Sequence, residues 1–440
     1  MERRWRAGGA ATSAAVCHGP GVSPSGNRVG QQRRRKQMRK RLLLPTVLLV
    51  AIVTAAVLAA GSAGRTRANA PAAKSAASGT VTLNGWQVSP AEETKLAKVV
   101  KDFEASHPKI HVNYQSITGD YQAQELAKFA ARKPPDVLYV DVADIRDWVG
   151  QGVLQNLDSY VKASHFSTKP YIKNLLNAFK VKGHIYGFPK DWSSLGMEVN
   201  TTLLGNNPIP KTWAQLKSVA SKINVPGGKP ICLSADWARL MAFVYQAGGT
   251  GQFKDANTAP FRTAVNFYIG LIKSGLAATP DKLGSSWCGE AFGKQKVAFA
   301  FEGNWMFPTM AGFPGVKFTT APMPKGKARG NLAFTVSYSM AKDSKNKPAA
   351  WELLKYLVGR QGMQQWVSLG LALPTRTDVH AVAGRGAFTK YPASVHGWGA
   401  QVGFRHIWND VANNELTAVL AGKESVNSML QKIASAARNG

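Results

Sequence analysis

The chain has 440 residues, of which 45% are hydrophobic and 18% are charged, and these values exclude a disordered tail, a collagen and a coiled coil. The net charge is +30, but 14 of the 55 basic residues and one of the 25 acidic residues lie in residues 1–74, which leaves +17 for the rest. This remaining charge is scattered, without a run of four basic residues, so no nucleic-acid partner is predicted.

The N-terminal region has the layout of an export signal. Residues 33–41 carry seven positive charges directly before the apolar stretch 42–60, and we place the signal at residues 38–63. Small residues at 61–63 and 68–70 would suit a signal peptidase, and Pro45 weakens the stretch as a bilayer span, so cleavage is favoured. An uncleaved membrane anchor is the alternative, because 19 apolar residues can just cross a bilayer. Either form places the body outside the cytoplasm.

The three cysteines limit the possible anchors and metal sites. No Cys follows the apolar stretch, where Gly61 stands, so we do not expect a lipoprotein. Cys17 lies in the leader, whereas Cys232 and Cys288 could either form a disulfide outside the cell or remain two buried thiols. The Cys and His spacings match no metal site, and no cofactor is predicted.

The folded body is predicted to begin with alternating strands and helices. Ser89 caps a helix with Glu92 at the reciprocal capping-box position, and His107 and Pro108 end it. Strands are predicted around 80–83, 110–114 and 136–140, and helices at 89–106 and 121–131. This β-α-β-α-β order predicts a parallel sheet covered by helices.

The same alternation continues towards the C-terminus. Helical patterns recur at 213–223, 261–274, 349–370 and 411–437, and a buried strand occupies 297–301. About 360 residues of α/β structure exceed one ordinary sheet, so two lobes are predicted.

Carboxylates, amides and indoles recur after the predicted strands, where open parallel sheets bind ligands. These residues are Trp86, Gln87, Asp120, Asp141, Glu302, Gly303 and Trp305. Carboxylates accept strong hydrogen bonds from hydroxyl groups, and indole faces cover the C–H faces of sugar rings. The mixture predicts a neutral, polyhydroxylated ligand.

Most of the 11 Trp residues beyond the leader are predicted to pack in the core. Trp192 and Trp305 flank Gly and Pro turns, where a loop can present an indole to solvent. Trp86, Trp237 and Trp287 are candidates for which core packing is an equal alternative. Asp141 could instead cap the helix predicted after it, and Arg376 could be a solvated loop charge.

Four stretches resemble the extracellular solute-binding proteins of sugar ABC importers, family 1, maltose/trehalose-binding-like. They are PDV at 135–137 with Asp141, GHIYGFP at 183–189, GKQKVAF at 293–299 leading to GNW at 303–305, and GLALPTR at 370–376. Together they span residues 80–440 in the order expected for that family.

The resemblance implies a two-lobed, periplasmic-binding-protein-like (type II) fold, each lobe a mostly parallel sheet wrapped by helices, with a ligand cleft at the hinge. Residues 1–79 would be leader, signal and linker, 80–190 plus 322–358 the first lobe, and 191–321 plus 359–440 the second. The missing lipid-attachment Cys and the unusually large Glu302 depart from the family pattern.

The resemblance also implies roles for individual residues. Asp141 would accept sugar hydroxyls, Asp191 and Trp192 would lie near the hinge, Trp305 would stack on the ligand, and Arg376 would donate to it. The expected partners are a sugar or oligosaccharide and the membrane permease subunits of the importer, and a monomer is expected.

A secreted carbohydrate hydrolase is the alternative function. Such an enzyme requires a pair of carboxyls about 5 to 9.5 Å apart. No pair of this kind is evident among the 25 acids, and no nucleophile, metalloprotease or nucleotide motif is present. Binding without catalysis is therefore predicted.

Overall fold

The computed structural model describes residues 77–86 and 89–439. The predicted export signal, Cys17 and Gln87 lie outside these residues.

The strands, in chain order, are β1 (Gly79–Trp86), β2 (Ile110–Ile117), β3 (Val137–Asp141), β4 (Lys180–Val181), β5 (His184–Ile185), β6 (Gly187–Ser194), β7 (Gly196–Asn200), β8 (Ile231–Cys232), β9 (Ala277–Ala278), β10 (Phe299–Ala300), β11 (Phe318–Pro322), β12 (Asn331–Met340) and β13 (Val395–Gly397).

The α-helices are α1 (Pro90–Ser106), α2 (Tyr121–Ala130), α3 (Ile145–Gly150), α4 (Asp158–Ala163), α5 (Lys173–Ala178), α6 (Thr201–Leu204), α7 (Trp213–Ala220), α8 (Trp237–Gln246), α9 (Ala259–Lys273), α10 (Cys288–Gly293), α11 (Met306–Met310), α12 (Lys347–Val358), α13 (Arg360–Val367), α14 (Gly386–Thr389), α15 (Phe404–His406), α16 (Asn413–Leu420) and α17 (Val426–Asn439). Short 3₁₀ turns lie at Phe253–Asp255, Pro280–Leu283 and Pro392–Ser394, and a π-helical segment spans Ile407–Ala412.

The first sheet has the order β13-β12-β3-β1-β2, with β6 also paired to β12. β1 runs parallel to β2 and β3, which confirms the predicted β-α-β-α-β unit. The connecting helix α1 begins as predicted: the hydroxyl of Ser89 accepts from the Glu92 amide and donates to its carboxylate. Its apolar residues at helical spacing, from Leu96 to Phe103, are buried on the sheet.

The second sheet has the order β11-β7-β10-β8-β9. β8 is parallel to β9 and β10, but β7 is antiparallel to both β10 and β11. This mixed pairing differs from the mostly parallel expectation because β7 is entered directly from the first sheet, with only Leu195 between β6 and β7. The chain returns to the first sheet between β11 and β12.

Each sheet has its own hydrophobic core. The first core joins the first sheet to α1, α12 and α13, and the second joins the second sheet to α8, α9, α16 and α17. Met363 and Trp366 of α13 lie in the first core, whereas Trp398 and Phe404 lie in the second. The lobe boundaries given above remain predictions.

Two predicted long helices are each divided. The pattern at 349–370 becomes α12 and α13, which meet at Gly359 in extended backbone. The pattern at 411–437 is interrupted after α16, where Gly422 adopts a positive φ of 73° that favours glycine. Apolar periodicity continued across both breaks and so did not reveal them.

A disulfide joins Cys232 to Cys288, with the Cα atoms 5.5 Å apart, which decides between the two alternatives left by the sequence. It closes a loop of 56 residues between β8 and the start of α10. Leu283, Phe292 and neighbouring apolar residues form a small third cluster around it.

Removing this disulfide is expected to destabilise the protein. Replacing both Cys232 and Cys288 by Ser should lower the free energy of unfolding by about 3 to 4 kcal/mol, because the unfolded chain regains the freedom of the closed loop. Urea unfolding with and without dithiothreitol measures this. The reductant should weaken the native protein and leave the double variant unchanged; a double variant as stable as the native protein would contradict the pairing.

Candidate ligand-binding site

The strand register places Asp141 and Phe334 on the same face of the first sheet. Asp141 ends β3 opposite Val336 of β12, and Phe334 lies two residues before Val336. The ring of Phe334 packs edge-to-face on Trp305, with centroids 5.5 Å apart. Asp141 from the first sheet and Trp305 beyond the second sheet therefore border one region. We call it the interlobe region, bounded by Asp141, Phe334, Trp305 and Arg405.

An ion pair connects the two cores across the interlobe region. Arg405 of α15 follows Phe404, which lies in the second core, and its Nη2 is 2.8 Å from Asp144 Oδ2. The same nitrogen is 3.9 Å from Asp141 Oδ1. Burial lowers the pKa of Arg405, but the surrounding carboxylates outweigh burial and raise this pKa above its usual value. These carboxylates are Asp144, Asp141 and the nearby Asp120. Asp120 also caps α2 by accepting from the Ala123 amide at 2.9 Å.

The structure rejects helix capping as the role of Asp141. Helix α3 begins at Ile145, after Asp144, whereas Asp141 Oδ1 accepts from the Ala143 amide at 2.8 Å in the turn before that helix. The side chain of Asp141 is 30% exposed. Close protein surroundings desolvate the carboxyl and raise its pKa to about 6; Asp144 adds to this shift and Arg405 opposes it.

The raised pKa of Asp141 predicts a specific pH dependence of stability. Between the ordinary value of 3.8 and about 6, the folded state retains a proton that the unfolded state releases. The protonated carboxyl therefore makes its full stabilising contribution to the free energy of unfolding below pH 3.8, and this contribution is lost as the pH rises through about 6. Urea unfolding gives the free energy of unfolding of Asp141→Asn minus that of the native protein at each pH. This difference should be more favourable to the variant at about pH 7.5 than at about pH 4.5. An equal effect at both values would contradict the shift.

A second group of side chains lies beside Asp141 on the first sheet. Asp191 of β6 pairs with Val336 from the other side, so it shares the face of Asp141. Its carboxylate pairs with Lys190 and accepts from the indole of Trp366 at 2.6 Å. The ammonium of Lys190 lies 3.8 Å above the Trp366 ring. The sequence predicted Asp191 and placed Trp366 in the core, where it lies, but it missed Lys190.

Trp86 joins this group through Tyr139. Its indole packs edge-on against Tyr121 and Tyr139, with both centroid distances 5.2 Å. Tyr139 lies two residues before Asp141 and is also approached by the ammonium of Lys190, 5.1 Å from its ring centre. The half-buried Trp86 therefore stands at the same edge of the sheet as the carboxylates.

The predicted loop placement of Trp192 is wrong. Trp192 lies inside β6 opposite Thr335, so its side chain points to the face of the sheet opposite Phe334. The indole is 1% exposed and donates to the Pro374 carbonyl at 2.8 Å. Pro189 did not end the strand because the pairing with β12 is irregular at this point, where a proline is tolerated.

Two other predicted indoles and Arg376 are occupied by other contacts. Trp237 is fully buried and donates to the Ala412 carbonyl at 2.8 Å, so the core alternative holds in this conformation. Trp287 packs in the third cluster, beside the disulfide. Arg376 is 8% exposed, so the solvated alternative is wrong; its Nε and Nη2 bind the Asp378 carboxylate at 2.9 and 2.8 Å.

Glu302 lies behind Trp305 and is fully buried. Its Oε2 accepts from Arg239 Nη2 at 2.7 Å and from the indole of Trp305 at 3.1 Å. Direct contact of this carboxylate with a ligand would require Trp305 to move. Gly303 leaves room for the same indole, because a Cβ at this position would lie 2.3 Å from the Trp305 ring.

Glu198 of β7 and Trp408 were missed by the sequence analysis. Glu198 is fully buried and its Oε2 accepts from the Glu302 amide at 2.9 Å; burial first, and then Glu302, raise its pKa well above the usual value. Trp408 packs on Phe404 and donates its indole N–H to Asp236 at 3.1 Å. Neither residue follows a Gly or Pro turn or ends a predicted strand, so no local signal distinguished it from the core.

Comparison with known proteins identifies the family of this chain. A model of the bacterial extracellular solute-binding protein family matches residues 89–364. The chain belongs to this family. The multiple sugar-binding protein of Streptococcus mutans is 23% identical over 320 residues, covering 65% of this chain and 73% of that protein.

Solved structures of sugar-binding proteins share the fold. The sugar-binding protein MalE of Xanthomonas citri has a TM-score of 0.71 and 23% identity, covering 82% of this chain and 97% of its own. The cyclic alpha-maltosyl-1,6-maltose binding protein of Arthrobacter globiformis has a TM-score of 0.72 and 18% identity, covering 82% and 100%. The predicted two-lobed α/β fold is thereby confirmed, and we refer to the two sheets with their cores as the first and second lobes.

Proposed function

We propose that this solute-binding protein captures a neutral sugar or oligosaccharide between its lobes and delivers it to the membrane subunits of an ABC importer. One observation carries the proposal: Asp141 of the first lobe and Trp305 of the second border the same interlobe region. A carboxylate and an indole together suit hydroxyl groups and the C–H face of a sugar ring. The sugar-binding names of the relatives support the same ligand class.

The charge balance of the interlobe region favours a neutral ligand. Lys190 is paired with Asp191, Arg239 with Asp236 and Glu302, and Arg405 with Asp144. An anionic ligand would have to compete with these carboxylates for the cations, whereas a sugar can donate to the carboxylates without breaking the pairs. The net charge of +17 beyond residue 74 therefore does not predict an anionic ligand.

The proposal includes the lobe boundaries given by the sequence, residues 80–190 plus 322–358 and 191–321 plus 359–440. The direct passage from β6 to β7 and the return from β11 to β12 support a hinge made of more than one chain segment. Hinge closure around a ligand would bring Asp141 and Trp305 onto the same molecule.

Binding without hydrolysis is the second part of the proposal. Glu302 was predicted as a ligand-binding residue and contacts Glu198, which the sequence analysis missed. Both carboxyl groups are fully buried, and Glu302 is occupied by Arg239 and Trp305. A hydrolase needs its two carboxyls on either side of the glycosidic bond. Their burial behind an indole favours a structural role.

We further propose an exported monomer, held near the membrane by the permease or by an uncleaved leader. The family is extracellular, which supports export. Across residues 77–86 and 89–439, no helix has both the length and the hydropathy needed to cross a bilayer.

A thermal-shift screen followed by calorimetry tests the proposal. The probes are maltose, trehalose, maltotetraose and glycerophosphocholine. We expect a saccharide to bind with a Kd near 1 μM, which corresponds to about −8 kcal/mol, and to be recovered intact by mass spectrometry. Turnover of the saccharide would favour the hydrolase, and a response to glycerophosphocholine alone would refute the neutral-sugar assignment.

A further inference from the structure

One arginine connects the carboxylates that anchor two indoles of the second lobe. Arg239, in the first turn of α8, places Nη2 2.7 Å from Glu302 Oε2 and Nη1 3.4 Å from Asp236 Oδ2. Glu302 Oε2 accepts the indole N–H of Trp305, and Asp236 Oδ1 accepts that of Trp408, both at 3.1 Å. The two indoles are thus joined through a single guanidinium.

The backbone fixes both anchoring carboxylates. Asp236 is the N-cap of α8, and its Oδ1 also accepts from the Ala238 amide at 3.0 Å. The Glu302 amide donates to Glu198. Arg239 is therefore held between two carboxylates whose main-chain positions are set by a helix end and a strand contact.

Removing the guanidinium would leave Glu302 as a fully buried carboxylate without its cation. Such a group must take up a proton or move towards water, because an unpaired buried charge is costly. A neutral carboxyl accepts an indole hydrogen bond more weakly than a carboxylate does. Asp236 would keep its helix-cap bond but lose the cation at Oδ2, so its carboxylate is free to turn, and the loss of Arg239 should shift both indoles.

We propose that Arg239 is a positioning residue that holds Trp305 and Trp408 in one fixed arrangement, as a paired platform for a saccharide of two or more rings. The saccharide part rests on the proposed function, whereas the coupling of the two indoles does not. Both indoles are half-buried, so each retains surface for a ligand.

Fluorine NMR of the full-length protein labelled with 5-fluorotryptophan tests the coupling without any ligand. The resonances of Trp305 and Trp408 are assigned with Trp305→Phe and Trp408→Phe. We expect Arg239→Met to shift both resonances. The Trp408 resonance is diagnostic, because Arg239 lies 5.5 Å from the centre of the Trp305 ring and would affect that resonance directly. An unchanged Trp408 resonance would overturn the proposal.

Arg262→Met is the matched control, because Arg262 is an exposed arginine of α9 bonded to Asn427 and to the Asn257 carbonyl. It should leave both resonances in place. Asp236→Asn provides a second route if Arg239→Met does not fold. Coupling through Arg239 predicts that this variant shifts the Trp305 resonance too, whereas independent anchors would shift Trp408 alone.

Calorimetry with maltotetraose separates this proposal from the proposed function. We expect Arg239→Met to weaken maltotetraose binding about tenfold, and Arg239→Lys, which retains the charge, to restore part of the loss. Shifted resonances with an unchanged Kd would refute the role of Arg239 in binding. If the native protein binds no saccharide in the panel, the proposed function fails while the NMR result still decides the coupling.

Discussion

Replacing Trp305 by Ala should weaken saccharide binding by about 30-fold, which corresponds to about 2 kcal/mol. The variant loses the stacking surface and the apolar area that the indole would cover on the ligand. The fold should survive, because Trp305 is only partly buried and borders the interlobe region. Isothermal titration calorimetry with the saccharide found in the screen measures the change.

Trp287→Ala is the matched control for this prediction. It removes an indole of the same size from the third cluster, beside the disulfide. We expect its Kd to remain within about twofold of the native value. A Trp305→Ala variant with native affinity would remove Trp305 from the site, and a strong effect of Trp287→Ala would place the ligand elsewhere.

Glu302→Ala should lower the free energy of unfolding by about 3 kcal/mol or more. The change leaves the guanidinium of Arg239, which is 21% exposed, without its closest carboxylate and removes the acceptor of the Trp305 indole. Breaking a buried ion pair by removing one partner is among the costliest single substitutions. Urea unfolding measures the loss.

Glu352→Ala tests whether the cost arises from burial. Glu352 forms an ion pair with Lys355 on α12 at 2.8 Å, but its side chain is 31% exposed. Pairs of this kind contribute at most about 0.5 kcal/mol. If the two Glu→Ala variants lost equal stability, the buried network around Arg239 would not have the structural role assigned to it.

Local signals were sufficient for the first β-α-β-α-β unit. The cap at Ser89 and the helical spacing of Leu96 to Phe103 depend only on neighbours in the sequence, and both are present in the structure. Asp141 and Trp305 were found because each follows a buried strand. The predicted export signal, which places the body outside the cell, made a disulfide between Cys232 and Cys288 one of two alternatives.

Long-range pairing caused the main errors. Gly187 and Pro189 indicated a turn at Trp192, but β12 supplies hydrogen-bonding partners across that segment and makes it a strand. Trp192 is buried because its side chain lies on the buried face of this strand. A shift of the strand register by one residue would place it on the opposite face. No local pattern around Trp192 contains this information.

The ionic networks were also beyond the reach of sequence reasoning. Arg405 and Asp144 are 261 residues apart, and Glu198 and Glu302 are 104 apart. Their contacts depend on how the two cores meet and on which face of β7 is buried. Only the finished fold shows that Arg405 is paired with Asp144 and that Glu198 accepts from the Glu302 amide.

The position of a bound saccharide would show whether Asp141 and Trp305 contact the same ligand. A crystal structure with the saccharide that binds most tightly should show a sugar ring about 4 Å from the Trp305 indole and a sugar hydroxyl donating to Asp141. The second lobe also has an open groove of about 500 Å³ beside Trp213 and Lys325. A saccharide found only in that groove, with the interlobe region empty, would show that the interlobe region is not the binding site.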